Sequence, residues 1–285
     1  MDNIRPKWMR QITLMLTLFL FSPTDPIMYN AHLVSSHPQS KDERVLKIVT
    51  YNIRGCRDDE GIADPTKIAD TLRILNADVI ALQEVDFRLP RSQFVDQIAT
   101  IADSLQMNYA YAPSLSLVIG TYGNALLSKL PILEVKSIAL PASWEPRSLL
   151  EVTLDWNGEP LHVYATHLGV KESEHKEQIE SLLATLHEKP YQSSVLLGDF
   201  NMQPDHPLLH SLRALYQDPV YDQQDDFVTL KGVHRGRQID RIFLSPDLHF
   251  LEAAAPSIGH SDHYPVWMHI QKNAPHLAKI AEAER

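Results

Sequence analysis

Two β-sheets packed face to face, with helices on their outer sides, make up the fold class predicted by this 285-residue sequence. Three observations lead there. Short continuous apolar runs, such as Val79-Ile80-Ala81-Leu82, have the character of strands buried on both faces. Amphipathic helical stretches alternate with such runs and call for crossover connections. Asn157-Gly158, between two strand-like segments, is a two-residue hairpin signal. Crossovers and hairpins in one chain point to mixed α/β layers.

The elements follow in order. Val45–Asn52 is rich in β-branched and apolar residues and ends in a loop containing Gly55. Asp64-Pro65 reads as an N-cap with proline at the first helical position, and Ile68, Leu72 and Leu75 then fall on one face. Val79–Leu82 is a strand that stops at Gln83-Glu84. Ser92 is placed to cap a second helix whose buried side carries Phe94, Ile98, Ile101 and Leu105. Strand character returns at Tyr122–Ser128 and Val135–Leu140. Leu150, Val152, Leu154 and Trp156 alternate with polar residues, as in a half-buried strand. Leu161–Thr166 is the return strand and delivers His167. A helix over Glu172–Glu188 turns Ile179, Leu182, Leu183 and Leu186 inward. Ser194–Leu197 is a strand, Leu208–Leu215 a helix, and Ile239–Leu244 and Pro265–Ile270 are the last strands.

The division into segments is residues 1–44, 45–271 and 272–285. Arg5, Lys7 and Arg10 precede an apolar run, Ile12–Phe21, then Ser22-Pro23-Thr24-Asp25-Pro26. This resembles a secretory signal or an uncleaved anchor, because about 20 apolar residues are needed to span a bilayer. Secretion or membrane association through the N-terminus is the expectation, with a cytoplasmic location left open. Residues 22–44 read as a polar linker, and 272–285 as a surface helix or frayed tail.

Composition narrows the function classes. The charge of −10 carries no basic stripe of the kind that grips duplex DNA. That balance argues against long DNA as a partner. The single cysteine, Cys56, excludes an internal disulfide and a multi-cysteine metal site. No H-E-x-x-H or G-x-S-x-G motif is present, which removes the usual metalloprotease and ester-hydrolase readings.

One pattern recurs. A buried-type strand ends, and a residue able to bind a metal or handle a proton stands at its end. Asn52, Glu84, His167, Asp199 with Asn201, Asp240, and Asp262 with His263 all fit it. Singly, each has a bland explanation, since an Asp beside glycine is usually a turn former and a lone His at a strand end is usually a hydrogen-bonding surface group. Their joint order is what carries weight.

The motifs Thr50-Tyr51-Asn52-Ile53, Leu82-Gln83-Glu84-Val85, Ala165-Thr166-His167-Leu168, Leu197-Gly198-Asp199-Phe200-Asn201, Ile239-Asp240-Arg241-Ile242 and Ser261-Asp262-His263 resemble those of the endonuclease/exonuclease/phosphatase superfamily. That resemblance covers about residues 45–271. It implies a four-layer α/β sandwich with the site at one end of both sheets. It also implies a metal-dependent phosphoesterase using magnesium or manganese, with zinc the weaker alternative. Glu84 would be the principal ligand, and Asn52 and Asp262 would complete the coordination directly or through water, as oxygen donors suit a hard cation. Asp199 would orient or deprotonate the attacking water, Asn201 would hold water or phosphate, His263 paired with Asp240 would donate to phosphate, and His167 would be a second donor. Whether Asp199 or a histidine is the general base stays open.

Arg147 is the candidate for a bidentate phosphate contact, the alternative being a surface arginine, and Asn124 supports the substrate side from behind. Arg88 and Arg91 are weaker candidates for that side. Two positions depart from the nuclease pattern. Arg54 stands where a second acidic ligand occurs, which argues against a fixed pair of metals. No carboxylate near Tyr122–Asn124 pairs with His167. The leading expectation is hydrolysis of a lipid-headgroup or small phosphoester by a monomer. A DNA or RNA nuclease is the alternative, and a non-catalytic binding protein on the same fold is the competing class.

Overall fold

Val45–Asn52 forms a strand (β2) whose alternate side chains serve two different cores, and the rest of the architecture is arranged around that division. The computed structural model describes residues 27–30, 45–188, 192–221, 227–232 and 237–272. The N-terminal signal or anchor and nearly all of the C-terminal tail lie outside the described residues. The larger sheet also contains β1 (Met28–Asn30), β3 (Val79–Phe87), β4 (Asn108–Ser116), β5 (Thr121–Ser128), β11 (Leu248–Ala254) and β12 (Val266–Lys272). Its seven strands run in the order β1-β4-β5-β3-β2-β12-β11. The smaller sheet holds β6 (Ile132–Leu140), β7 (Arg147–Trp156), β8 (Glu159–His167), β9 (Ser194–Asp199) and β10 (Asp240–Leu244), ordered β10-β9-β8-β7-β6. Both sheets are mixed: β2 with β3 and β8 with β9 are parallel, and the other pairs are antiparallel.

Because successive strand side chains point to opposite faces, each sheet feeds two cores. Leu46 and Ile48 of β2 meet Leu150, Val152, Val163 and Leu197 between the sheets. Val49 and Tyr51 point the other way, under helices α1 (Pro65–Leu75) and α2 (Gln97–Leu105). Leu149, Tyr164 and Leu196 cover the outer face of the smaller sheet with α3 (Glu172–His187) and the short α4 (Leu209–Arg213). The result is the expected helix–sheet–sheet–helix sandwich. Asp64 caps α1 by accepting from Thr66 N at 2.9 Å. Asn157 and Gly158 both take positive φ in the two-residue turn between Trp156 and Glu159.

Several expectations are corrected. The cap of α2 is Asp96, which accepts from Ala99 N at 3.1 Å, while Ser92 lies in a preceding 3-10 turn. Phe94 is 57% exposed rather than buried, because the helix starts three residues beyond it. β3 does not stop at Glu84 but continues to Phe87 through a bulge. Strands β4 and β11 are additional to the sequence reading. β4 was hidden by alanines and a proline, which strands disfavour. Met28–Asn30, within the stretch read as linker, pairs with Tyr109–Tyr111.

Four parallel-running strands end on the same side, so β2, β3, β8 and β9 present Asn52, Glu84, His167 and Asp199 at one end of the sandwich. Gly198 makes this possible. A Cβ there would lie 1.9 Å from the Thr166 carbonyl oxygen, so only glycine lets β9 approach β8 closely enough to set Asp199 beside His167. Gly198→Ala is expected to cost about 3 kcal/mol or more in urea denaturation. Gly158→Ala, where nothing lies within 4 Å, should cost only about 1–2 kcal/mol for its left-handed backbone. Equal midpoints for the two variants would refute the close-approach argument.

Candidate active site

Glu84 stands in the β3 bulge, with φ of 59°. Two residues, Gln83 and Glu84, fill the interval between the Leu82–Ala125 and Val85–Gly123 pairs, opposite the single residue Asn124. A bulge of this kind re-aims a side chain. Gln83 stays inside the sheet, bonded to the Thr50 hydroxyl, and Glu84 faces the site. Asn52, buried at the end of β2, donates from Nδ2 to Glu84 Oε1 at 3.0 Å and to Asp199 Oδ2 at 3.1 Å. Its Oδ1 accepts from Arg54 N at 3.0 Å. With two carboxylates at the nitrogen and an N–H at the oxygen, the amide orientation is determined by its partners.

The smaller sheet supplies the other half. Asp199 and Asp240 are register partners on β9 and β10, so both carboxylates stand on neighbouring strands. His263 sits between them. Its Nδ1 is 2.8 Å from Asp240 Oδ2 and its Nε2 is 3.7 Å from Asp199 Oδ2. His167 Nε2 approaches the same Asp199 oxygen at 3.6 Å. Asn201 N donates to Asp199 Oδ1 at 2.9 Å. The carboxylate absent from the segment around Asn124 is therefore provided to His167 by Asp199.

The charges explain the protonation states. Burial, and then the neighbouring charge of Asp240, push Asp199 up to about 7, against the pull of His263. Burial alone would lower His263, but Asp240, by charge and hydrogen bond, and Asp199 outweigh it and hold the imidazole up at about 10. Burial lowers His167 well below the usual histidine range, and the Arg147 and His263 charges add to this. The two histidines therefore differ at neutral pH: His263 is a cation and His167 is neutral. Glu84 is raised by burial, opposed by the Asn52 hydrogen bond and His263, with Asp262 and Glu145 adding repulsion.

Some candidates sit differently from expectation. Arg147 is buried, and its guanidinium is already held by the Leu168 carbonyl at 3.2 Å and by Glu145. It is neither a surface arginine nor a free fork for phosphate; it lies beside His167 as a fixed charge. Asn124 is buried and donates to Ser148 O at 2.9 Å, so its support is given to the start of β7. Asn201 Nδ2 donates to Leu168 O at 3.0 Å, which leaves one amide hydrogen for a ligand. Arg91 is bound through two nitrogens to Asp86, and Arg88 lies over the Phe87 ring. Sequence reasoning missed Glu145 as the partner of Arg147. It also missed Tyr51, whose hydroxyl accepts from Ser261 N at 3.1 Å and pins the segment carrying Asp262 and His263.

Two donor sets could hold a cation. Asp199, Asp240 and His263 offer ligand atoms within 4.8 Å of one another. In that group the imidazolium already carries the positive charge, and its Nδ1 is engaged by Asp240, so it reads as a proton-handling unit. Asp240 Oδ1 is buried without a hydrogen-bond partner among the described residues. Glu84 and Asp262 form the other set, with hard oxygen donors whose mutual repulsion a divalent cation would relieve. The Asn52 oxygen retains one lone pair for it. These residues fit such an ion. Arg54 Nε, 3.5 Å from Asp262 Oδ2, already offsets part of the acidic charge.

Asp199 holds its proton more tightly in the native state than a free aspartate, whose pKa is about 3.9. The stability from this group is complete below pH ~4 and is lost as pH rises through about 7. His263 contributes stability that is complete below pH ~6.5 and lost as pH rises through about 10. His167, held neutral, works the other way and favours the fold as pH rises to ~6.5, so without added metal thermal stability should decline from pH 7 to pH 10. Asp199→Asn should be at least as stable as wild type at pH 8. His263→Ala should lose roughly 3–5 kcal/mol there, because Asp240 is left buried and unpaired. A marked drop in melting temperature for Asp199→Asn would contradict this charge balance.

Comparison with known proteins agrees with this geometry. A sequence profile of the Endonuclease/Exonuclease/phosphatase family matches residues 49–263. The uncharacterized protein YbhP of Escherichia coli K12 is 28% identical over 157 residues, which is 50% of this chain and 62% of that protein. Protein cwh43 of Schizosaccharomyces pombe is 28% identical over 205 residues, 70% of this chain and 21% of its own length. The chain thus spans about three-fifths of YbhP and a fifth of cwh43. Among solved structures, an endonuclease/exonuclease/phosphatase from Beutenbergia cavernae superimposes with a TM-score of 0.69 at 25% identity, covering 81% of this chain and 72% of that one. The human Nocturnin catalytic domain with bound sulfate shares the fold at a TM-score of 0.65 and 16% identity, over 88% of this chain and 100% of its own.

Proposed function

The chain belongs to the Endonuclease/Exonuclease/phosphatase family, and from that premise we propose that it hydrolyses phosphoester bonds with a divalent cation, magnesium or manganese. The observation that carries this reading is the setting of Asp199. It is a buried carboxylate poised near neutrality, with Asn52, His167 and His263 converging on one of its oxygens.

The chemistry demands such a site, because a phosphoester anion repels an attacking oxygen. When bound at Glu84 and Asp262, a divalent cation would offset charge on the phosphoryl and leaving oxygens. The protein's own groups do the rest. Asp199, with a proton affinity near the working pH, accepts the proton of the attacking water. His263, kept cationic by Asp240, donates to a phosphate oxygen. Neutral His167 offers one N–H toward the leaving side, and Asn201 offers its remaining amide hydrogen. Arg147 disfavours a second positive charge on His167 and keeps the pair of histidines distinct. Arg54 beside Asp262 favours one cation over two.

For substrate, we favour a lipid-headgroup or small phosphodiester. The support is the net charge of −10 and the apolar N-terminal run, which also suggests export or membrane association. No described helix is long and apolar enough to cross a membrane.

Chelation of the purified protein should abolish phosphodiester turnover, and added magnesium or manganese should restore it. Activity that survives exhaustive chelation would refute the metal requirement. Asp199→Ala and His263→Ala should each lower kcat by about 10²–10⁴-fold, and Glu84→Gln should raise the metal concentration needed for half-maximal rate. Assayed against plasmid DNA, sphingomyelin and inositol phosphates, the enzyme should prefer the latter two. Rapid plasmid nicking without lipid turnover would establish the nuclease reading instead.

A further inference from the structure

The exposed apolar side chains of this protein are unevenly placed. Ten large ones are exposed among the described residues, and seven stand in loops at the end of the sandwich that carries the site. Leu117, Val118 and Ile119 form the tip of the β4–β5 hairpin, with Val118 71% exposed. Trp144, 70% exposed, lies in the β6–β7 loop three residues before Arg147. Val170, 75% exposed, follows β8 three residues after His167. Ile62 and Phe94 lie further round the same end. Three adjacent exposed apolar residues in a turn cost solubility and call for a partner.

The elements that carry the two main groups adjoin at their bases. Ser114 Oγ in β4 and Ser148 Oγ in β7 are 2.6 Å apart, which joins the stem of the hairpin to the strand that Trp144 leads into. A Cβ on Gly120 would strike the Phe87 and Arg88 backbone, so the tip is seated on the strand that carries Glu84. Trp144 carries Lys171 over its ring at 5.5 Å, beside Val170. The segment from Pro113 to Thr121 contains no charge. Apolar lips with a tryptophan and a lysine at their edge match the layering of a bilayer interface, with hydrocarbon below and headgroups above.

The direction of β1 supplies an independent argument. β1 is antiparallel to β4, with Met28 opposite Tyr111, so the chain enters it from the side of the hairpin tip. Leu117 is six residues beyond Tyr111, about 20 Å along the strand. Phe21, the last residue of the apolar N-terminal run, is six residues before Ile27, a reach of at most about 22 Å. An anchor made from that run would hold the protein to a bilayer at the end where the site opens.

We propose that Leu117, Val118, Ile119, Trp144 and Val170 form a docking face for a lipid bilayer, so that the catalytic cleft opens onto the headgroup layer. The identity of the substrate as a lipid phosphoester rests on the function proposed above; the docking itself does not. The test uses the full chain with vesicles of phosphatidylcholine, phosphatidylglycerol and sphingomyelin, with brominated phosphatidylcholine as a quencher of tryptophan emission. In a Trp8→Phe background, which removes the tryptophan beside the apolar N-terminal run, emission should be quenched, and most of that quenching should vanish when Trp144→Phe is added. The double variant Val118→Asp/Ile119→Asp should lose the Trp144-dependent quenching and turn over vesicle lipid at least about tenfold more slowly, as expected for apolar burial denied at the interface. Its turnover of soluble bis-p-nitrophenyl phosphate should match wild type, which also reports an intact fold. Quenching unchanged in Trp144→Phe, or persisting in the double variant, would overturn the proposal. Soluble turnover with no Trp144 quenching removes the docking face alone. Trp144 quenching with no phosphoester turnover of any kind supports docking and removes the hydrolase reading.

Discussion

The Asp199 carboxylate receives Asn52 from the larger sheet, faces His167 on its own sheet, and shares His263 with Asp240. It is the junction where the two layers of the sandwich become one site. A charge so enclosed would be expensive to bury alone. The neighbouring imidazolium, the Asn52 amide and the Asn201 backbone N–H offset part of that cost. What remains uncompensated appears as proton affinity, and a carboxylate near 7 is suited to take a proton from water. The cost of burying this charge and its raised proton affinity are therefore the same quantity seen from two sides.

The supporting geometry is set by backbone features. Gly198 lets β9 lie against β8, and the bulge at Glu84 turns an acidic side chain out of a strand otherwise buried on both faces. Tyr51, from the middle of the helix-covered face, reaches to Ser261 and fixes the segment that brings His263 back over the site. None of these three contributes a reacting group. Each converts a general property of sheets, close packing or two-residue periodicity, into the placement of a charged atom.

The division between histidines has a similar origin. His167 and His263 approach one carboxylate oxygen at nearly equal distances, yet one is held neutral and the other cationic. Burial disfavours the charge on both; the difference lies behind them, where Arg147 stands near the first and Asp240 is bonded to the second. Glu145 then neutralises Arg147 from the outside. One residue type thus places a cationic and a neutral imidazole beside the same carboxylate oxygen.

Much of this is legible in the sequence. The two-sheet class, the Asp64-Pro65 helix start and the Asn157-Gly158 turn follow from local chemistry, because a cap or a left-handed turn is decided within a few residues. Asn52, Glu84, His167, Asp199, Asp240 and His263 could be named because strand ends are recognisable and their order resembles one family's. β4 and the α2 cap were missed, since alanine-rich strands and competing Ser92 and Asp96 caps are separated only by packing. Arg147 reads from sequence as a phosphate contact and Asn124 as support behind it, and only the folded chain shows that Leu168, Glu145 and Ser148 already engage them. The sequence by itself determined the candidate site residues and their order at strand ends. The tertiary structure decided their protonation, their partners and the apolar rim around them, because those depend on charges and surfaces contributed by strands far apart along the chain.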